Sequence, residues 1–190
     1  MNGIEMEVEK DIALTETQQK PGYKKTKLGW IPEEWQFVEF DKVAGKSAKK
    51  YDPASKESLP CVELEHIEQE TGSINGYVNS VDQKSIKSRF FRGEVLFGKL
   101  RPYLRKYWIA EFDGVCSSEI WVLIPRKELM EGVFLHALIQ QHRFIQAANV
   151  TSGSKMPRAD WDFVSKFPIL VPPLPEQRAI AAVLSTWDRA

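Results

Sequence analysis

The sequence predicts an α+β fold: a strongly twisted, mostly antiparallel sheet with flanking helices and a projecting C-terminal helix. Three observations predict it. Apolar runs of strand length, rich in β-branched and aromatic residues, recur at 95–97, 107–109 and 120–124. Between 129 and 150 the apolar spacing changes to the helical period, carried by Phe134, Leu135, Leu138, Ile139, Phe144, Ile145 and Ala148. Finally, Ile180, Val183, Leu184 and Trp187 form a stripe at i, i+3, i+4 and i+7 behind Pro175, a residue suited to the first turn of a helix.

Taken in order, residues 1–27 read as a mobile polar arm, with Glu5, Glu7, Glu9, Asp11 and Glu16 in its first part and Pro21-Gly22 as a breaker. The main domain is expected over 28–171. Residues 28–35 (LGWIPEEW) form a turn in which Gly29 and Pro32 set the bends and two Trp pack. A short strand is expected at 37–40, one helical turn at 41–44, and a loop at 45–58 carrying Lys46, Lys49 and Lys50. Residues 60–67 alternate, with Val62 and Leu64 opposite Glu63 and Glu65, which is strand period. Thr71-Gly72 through Asn75-Gly76 is turn chemistry, and Asn75-Gly76 is a hairpin signal. The helical stretch at 129–150 is expected as one helix of about five to six turns with a buried face. Residues 151–158 (TSGSKMPR) form a Gly/Ser loop, 159–163 a short turn, and 167–171 a last strand. The final helix starts in 172–190, with Glu176 at its positive end.

Composition sets the class. With 43% hydrophobic and 11% aromatic residues in 190, the chain can bury a core. No apolar run approaches the ~20 residues of a membrane span. The acidic N-terminus lacks the apolar segment of a signal peptide, so a cytoplasmic protein with no membrane partner is expected. Cys61 and Cys116 match no metal spacing and are expected as buried thiols.

Charge gives the functional lead. The net charge is zero, which argues against a histone-like non-specific binder. Yet between Lys84 and Lys106 eight cations stand against one carboxylate, Glu94. Clustered cations with interleaved aromatics beside a sheet suit a polyanion; a basic edge that keeps a sheet soluble is the alternative. The candidate contacts are Lys99, Arg101, Arg105 and Lys106 first, Lys155 and Arg158 on the Gly/Ser loop second, and Lys84, Lys87 and Arg89 third. Arg can bond guanine twice, whereas Lys mostly meets phosphate. The final helix, through Pro173, Leu174, Glu176, Gln177, Ile180, Val183, Leu184 and Trp187, is a candidate docking element; packing back on its own domain is equally compatible with the stripe.

Catalytic patterns are missing. There is no Gly-rich cofactor loop after a strand, and Val171-Pro172-Pro173-Leu174 lacks the amide donor of the tetrapeptide that amino-methyltransferases use. Glu63, Glu65 and Glu68 are not followed by the Lys of restriction-type nucleases. Ser117 and Ser118 have no nucleophile-elbow glycines, and His66, His136 and His142 show no metal spacing. No cofactor is expected.

Four stretches, in order, carry a family resemblance: LGWIPEEW at 28–35, GEVLFGKLRPYLRK at 93–106, GVCSSE at 114–119, and PPLPEQ at 172–177 followed by Ile180 and Leu184. With these the chain resembles the specificity (S) subunit of type I DNA restriction-modification enzymes, namely one target recognition domain (28–171) and the start of the conserved spacer helix. The resemblance implies a non-catalytic subunit that reads one half of a bipartite double-stranded DNA target. It implies as partners the methylation subunits, which supply S-adenosylmethionine chemistry, and a motor-nuclease subunit. Half-subunits of the family can pair through that helix, so a second copy of the chain is a further candidate partner. The rival from another class is a non-catalytic protein-interaction module whose basic stretch binds an acidic partner.

Overall fold

The computed structural model describes residues 20–150 and 156–187, the last three of these as backbone only. The fold is α+β, and its sheets are antiparallel apart from one parallel pair. Where a single sheet was expected, the described residues form four: two hairpin-sized ribbons and two larger sheets.

The first larger sheet is built on the three apolar runs. Strands β9 (Val95–Gly98), β10 (Tyr107–Ile109) and β12 (Ile120–Pro125) pair in the order β10-β9-β12, and β4 (Ala44–Lys46) closes the edge beyond β12. These strands are apolar on both faces because both faces are covered. Val95, Phe97, Tyr107, Trp121 and Leu123 point into a core shared with the helices. Leu96, Trp108, Ile120 and Val122 point into a second core, against the other sheet. That is a period of two with no solvent face, so the runs read as continuously hydrophobic.

The second larger sheet has the order β5-β8-β11-β6-β7, with β5 at Lys50–Tyr51, β6 at Pro60–Val62, β7 at Val78–Asn79, β8 at Lys87–Phe90 and β11 at Gly114–Cys116. It supplies Val62, Phe90 and Cys116 to the second core. Gly114 is fixed here by packing: a Cβ on it would lie 2.6 Å from the Pro60 carbonyl oxygen and 2.7 Å from the Phe90 ring. Cys61 and Cys116 are buried and free, as expected. Burial pushes the Cys61 thiol up to about 12, with the Glu63 charge adding to it.

Several local expectations change. The alternating stretch at 60–67 is a strand only over Pro60–Val62. The Glu63 N–H is then taken by the His66 ring at 3.0 Å, and Leu64–His66 turns as a 3-10 helix. The chain reverses at 68–73, around the Thr71-Gly72 end of the expected turn and not at Asn75-Gly76; the Glu68 N–H donates to the Ser73 carbonyl, and Glu70 and Gly72 adopt positive φ. Residues 23–26, expected within the polar arm, form β1 (Tyr23–Thr26), which pairs with β2 (Gly29–Pro32). The rest of the arm, 1–19, lies outside the described residues. Strands β3 (Gln36–Glu39) and β13 (Pro168–Val171) make the other ribbon.

The long helix expected over 129–150 is two helices, α1 (Gly132–Gln140) and α2 (His142–Ala148). They are separated by Gln141, whose ψ of 139° is extended. No Pro or Gly marks this break. It turns Phe144 into the core, 5.1 Å from the Phe40 ring and 5.5 Å from the Phe97 ring. The Gln140 carbonyl, which the break deprives of a helical partner, accepts from the Arg105 guanidinium at 2.6 Å.

A short helix α3 (Trp161–Val164) follows, capped by the Asp160 side chain, and then α4 (Leu174–Trp187). α4 does not simply project. Buried Gln177 accepts from the Glu131 N–H at 2.9 Å and donates to the carbonyls of Leu129 and Pro172, both at 2.8 Å. Ile180 and Ala181 continue the contact along α1. None of the helices is long and apolar enough to cross a membrane among the described residues.

Candidate nucleic-acid interface

The sequence concentrates cations between Lys84 and Lys106, but the fold disperses them. Lys87 is 5% exposed and paired with Glu63 inside the second sheet. Arg89 makes a two-pronged pair with Glu57, both contacts at 2.8 Å, which holds its pKa up and that of Glu57 down. Arg105 caps α1 as described and pairs with Glu70 at 3.4 Å. Lys106 turns inward, donating to the carbonyls of Leu64 at 2.6 Å and Ile67 at 2.7 Å, and burial lowers its pKa. Lys87, Arg89, Arg105 and Lys106 are thus engaged within the domain, in positions that suit a framework role. The carboxylates that neutralise three of them come from segments distant in sequence, which counting along the chain cannot see. Lys84 is exposed, but on the connection into β8 of the other sheet.

A framework role has a direct consequence for Lys106. Lys106→Ala leaves two inward-facing carbonyls without a partner, at about 1–2 kcal/mol. Urea denaturation should register that loss, and the salt dependence of any DNA binding should stay as in the wild type.

The remaining candidates come together. Backbone bonds run from the Arg101 N–H to the Pro157 carbonyl and from the Ala159 N–H to the Lys99 carbonyl, both 2.8 Å. This short antiparallel bridge, Leu100 opposite Arg158, lays the end of the Gly/Ser loop beside the start of the basic run. Lys99, Arg101 and Arg158 thus share one edge. Lys46 joins them from β4, its Nζ 5.4 Å from the ring of Trp161 and 5.9 Å from that of Trp121. Lys46, Lys99, Trp121, Arg158 and Trp161 line one open depression, which Asp160 and Asp162 line as well. In the sequence Lys46 belongs to the weaker loop cluster; only the β4–β12 pairing shows that it belongs with Lys99. Lys155 lies outside the described residues.

Rigidity distinguishes this edge. Arg101 and Arg105 both adopt left-handed backbone (φ 51°) and bracket a 3-10 turn over Pro102–Leu104. Such a conformation costs a non-glycine residue on the order of 1 kcal/mol and persists only where its surroundings impose it. Here the anchoring is on both sides: Arg101 through Pro157, and Arg105 through its bond to Gln140 and through the Glu70 N–H, which donates to its carbonyl at 3.0 Å. The turn holds Arg101 and Tyr103 outward, Tyr103 being 51% exposed. Among the described residues neither Lys99 nor Arg101 has a carboxylate partner, while Arg158 pairs with Glu119 at 3.0 Å.

The candidate docking residues divide. Gln177 is the buried pin described above, Glu176 accepts from the Trp35 indole N–H at 2.9 Å, and Ile180 packs on the domain core. These three attach α4 to its own domain, the alternative that the sequence left open. Pro173, just before α4, and Leu174, its first residue, are half-buried, and the Pro173 carbonyl accepts from the N–H groups of Glu176 and Gln177. Val183 and Leu184 are exposed, at 60% and 45%. The side chain of Trp187 lies outside the described residues.

Comparison with known proteins matches this arrangement to one family. A family profile described as the type I restriction modification DNA specificity domain matches residues 32–190. The EcoDI type I restriction enzyme specificity subunit of Escherichia coli is 32% identical over 161 residues, 83% of this chain and 36% of that protein. The putative MjaX type I specificity subunit of Methanocaldococcus jannaschii is 26% identical over 196 residues, 93% of this chain and 45% of that one. The chain therefore spans less than half the length of these relatives. Among solved structures, the HsdS subunit from Thermoanaerobacter tengcongensis superposes with a TM-score of 0.72 at 23% identity, covering 83% of this chain and 43% of that one. The S subunit from M. genitalium gives 0.56 at 12%, covering 92% and 41%. By the extent of the profile match and the sequence identity to a specificity subunit, this chain belongs to the type I restriction modification DNA specificity domain family.

Proposed function

We propose that this chain reads duplex DNA, as one half of a bipartite target, along the edge formed by Lys99, Arg101 and Arg158 with Lys46 beside them. The observation that supports this is the backbone bridge between 99–101 and 157–159, which sets Lys99, Arg101 and Arg158 on one edge, with Lys46 brought beside them by the β4–β12 pairing. Exposed Lys and Arg at one edge suit phosphates, and Arg101, on a fixed turn and with no carboxylate partner among the described residues, suits a guanine edge in the major groove. Lys84 and Lys155 complete the candidate contacts.

In this reading the subunit is non-catalytic, and methylation and motor-nuclease subunits perform the chemistry on the DNA that it selects. The exposed end of α4, with Val183 and Leu184, is the surface offered to those subunits or to a second copy. Selection of duplexes from a random pool by the purified chain tests the reading. A shared short sequence among the recovered duplexes is expected. Recovery without sequence preference, or an acidic protein binding where duplex does not, replaces DNA reading with the interaction-module alternative.

A further inference from the structure

Glu119 sits inside this cationic edge, and its position there is fixed three times over. Its carbonyl accepts from the Lys99 N–H at 2.9 Å. Its own N–H meets the Ser117 hydroxyl at 3.4 Å. Its carboxylate takes the Arg158 guanidinium by both prongs, Nε at 3.0 Å and a terminal nitrogen at 3.4 Å. That fork is the same donor geometry that a phosphate or a guanine edge would use. The pair is open to solvent, with Arg158 48% and Glu119 28% exposed, so a ligand can reach it and exchange for the carboxylate.

We infer that Glu119 is a positioning residue that occupies the Arg158 fork in the free protein and must be displaced by DNA, so that it suppresses binding to duplexes that offer Arg158 nothing better. The inference rests on the DNA-reading assignment above. An exposed ion pair is worth little, which makes Glu119 a weak and reversible occupant, not a lock. Any duplex presents phosphates, but only a fitting one presents them while Lys99, Arg101 and Lys46 are also engaged. Non-cognate DNA therefore meets Arg158 already neutralised and gains nothing from it, while a fitting duplex gains the Arg158 contact less the small cost of the exchange.

Glu119→Gln tests this, because it keeps the shape and one hydrogen-bond acceptor but removes the charge. Affinity is expected to rise by up to about fivefold for the selected duplex, which no longer bears the cost of the exchange, and by no more than that for a non-cognate duplex, for which Arg158 becomes available. The salt slope for non-cognate DNA should steepen by up to about 0.9, the increment expected when Arg158 becomes free to meet one phosphate. In an Arg158→Ala background both effects should vanish, which separates displacement from simple removal of a negative charge. If Glu119 only ties the 156–159 segment to the sheet, Glu119→Gln lowers thermal stability without strengthening non-cognate binding; that result, or an equal rise in affinity with Arg158 absent, overturns the inference. If the wild-type chain fails to bind any duplex, the DNA-reading assignment has failed before this test begins.

Discussion

The triple variant Lys99→Ala/Arg101→Ala/Arg158→Ala is expected to lose its selected duplex by about 10²–10⁴ in Kd. A side chain that meets a phosphate contributes about 0.9 to the slope of log K against log salt. One that meets a guanine edge is worth about 1–3 kcal/mol. Three such losses amount to roughly 3–6 kcal/mol, which converts to that range of Kd. Stability should change far less. Lys99 and Arg101 have no carboxylate partner to lose among the described residues, and the Arg158–Glu119 pair is solvent-exposed, worth at most about 1 kcal/mol. The left-handed backbone at 101 gives no extra penalty, because alanine carries the same Cβ as arginine. Binding titrations at several salt concentrations, with melting curves alongside, separate the two effects. Unchanged affinity and slope would exclude this edge as the DNA-reading surface.

The second large effect concerns attachment, not recognition. Gln177→Leu is expected to cost about 3–5 kcal/mol and to free α4 from α1. Leucine fills much of the same space but deprives the Glu131 N–H and the carbonyls of Leu129 and Pro172 of their partner. Buried groups left this way cost about 1–3 kcal/mol each, with carbonyls at the low end. Urea unfolding should show the loss in stability, and hydrogen exchange should show early opening of 174–184. By contrast, Val183→Ser and Leu184→Ser, on the exposed part of the same helix, should stay within about 0.5 kcal/mol of wild type. The helix is thus anchored at its beginning and exposed at Val183 and Leu184.

Much of this fold was legible in the chain. β10 falls on 107–109 as expected, and β9 and β12 extend the other two runs by one residue each at their C-terminal ends. Runs that are buried on both faces declare themselves by apolarity alone. The α1–α2 break was hidden because its cause is not local. Gln141 is an ordinary helix residue, and what allows the extended conformation is a guanidinium thirty-five positions upstream bonding the Gln140 carbonyl. The strand over 60–67 failed for a nearer reason, since His66 competes for a backbone N–H that the ladder would have used.

The candidate site was half legible. A run of eight cations was visible, but their partners Glu57, Glu63 and Glu70 lie well before it in the chain and are brought in by the fold. Lys106 is held by backbone carbonyls instead of a carboxylate. Lys99, Arg101 and Arg158 remained together because two backbone bonds join their segments. The conspicuous GKLRPYLRK run accordingly has two jobs: its first cations form the edge, and its last two, Arg105 and Lys106, hold the turn and the sheet in place.

Lysine acylation footprinting of the chain, alone and bound to its selected duplex, tests the central claim most directly. Lys46 and Lys99 should react in the free chain and become protected in the complex. Lys87 and Lys106, engaged inside the domain, should be poorly reactive in both states, and exposed Lys42, paired only with its neighbour Asp41 among the described residues, should react in both. Protection of Lys46 and Lys99 together is the predicted result. A bound duplex that leaves both lysines as reactive as before contradicts the account.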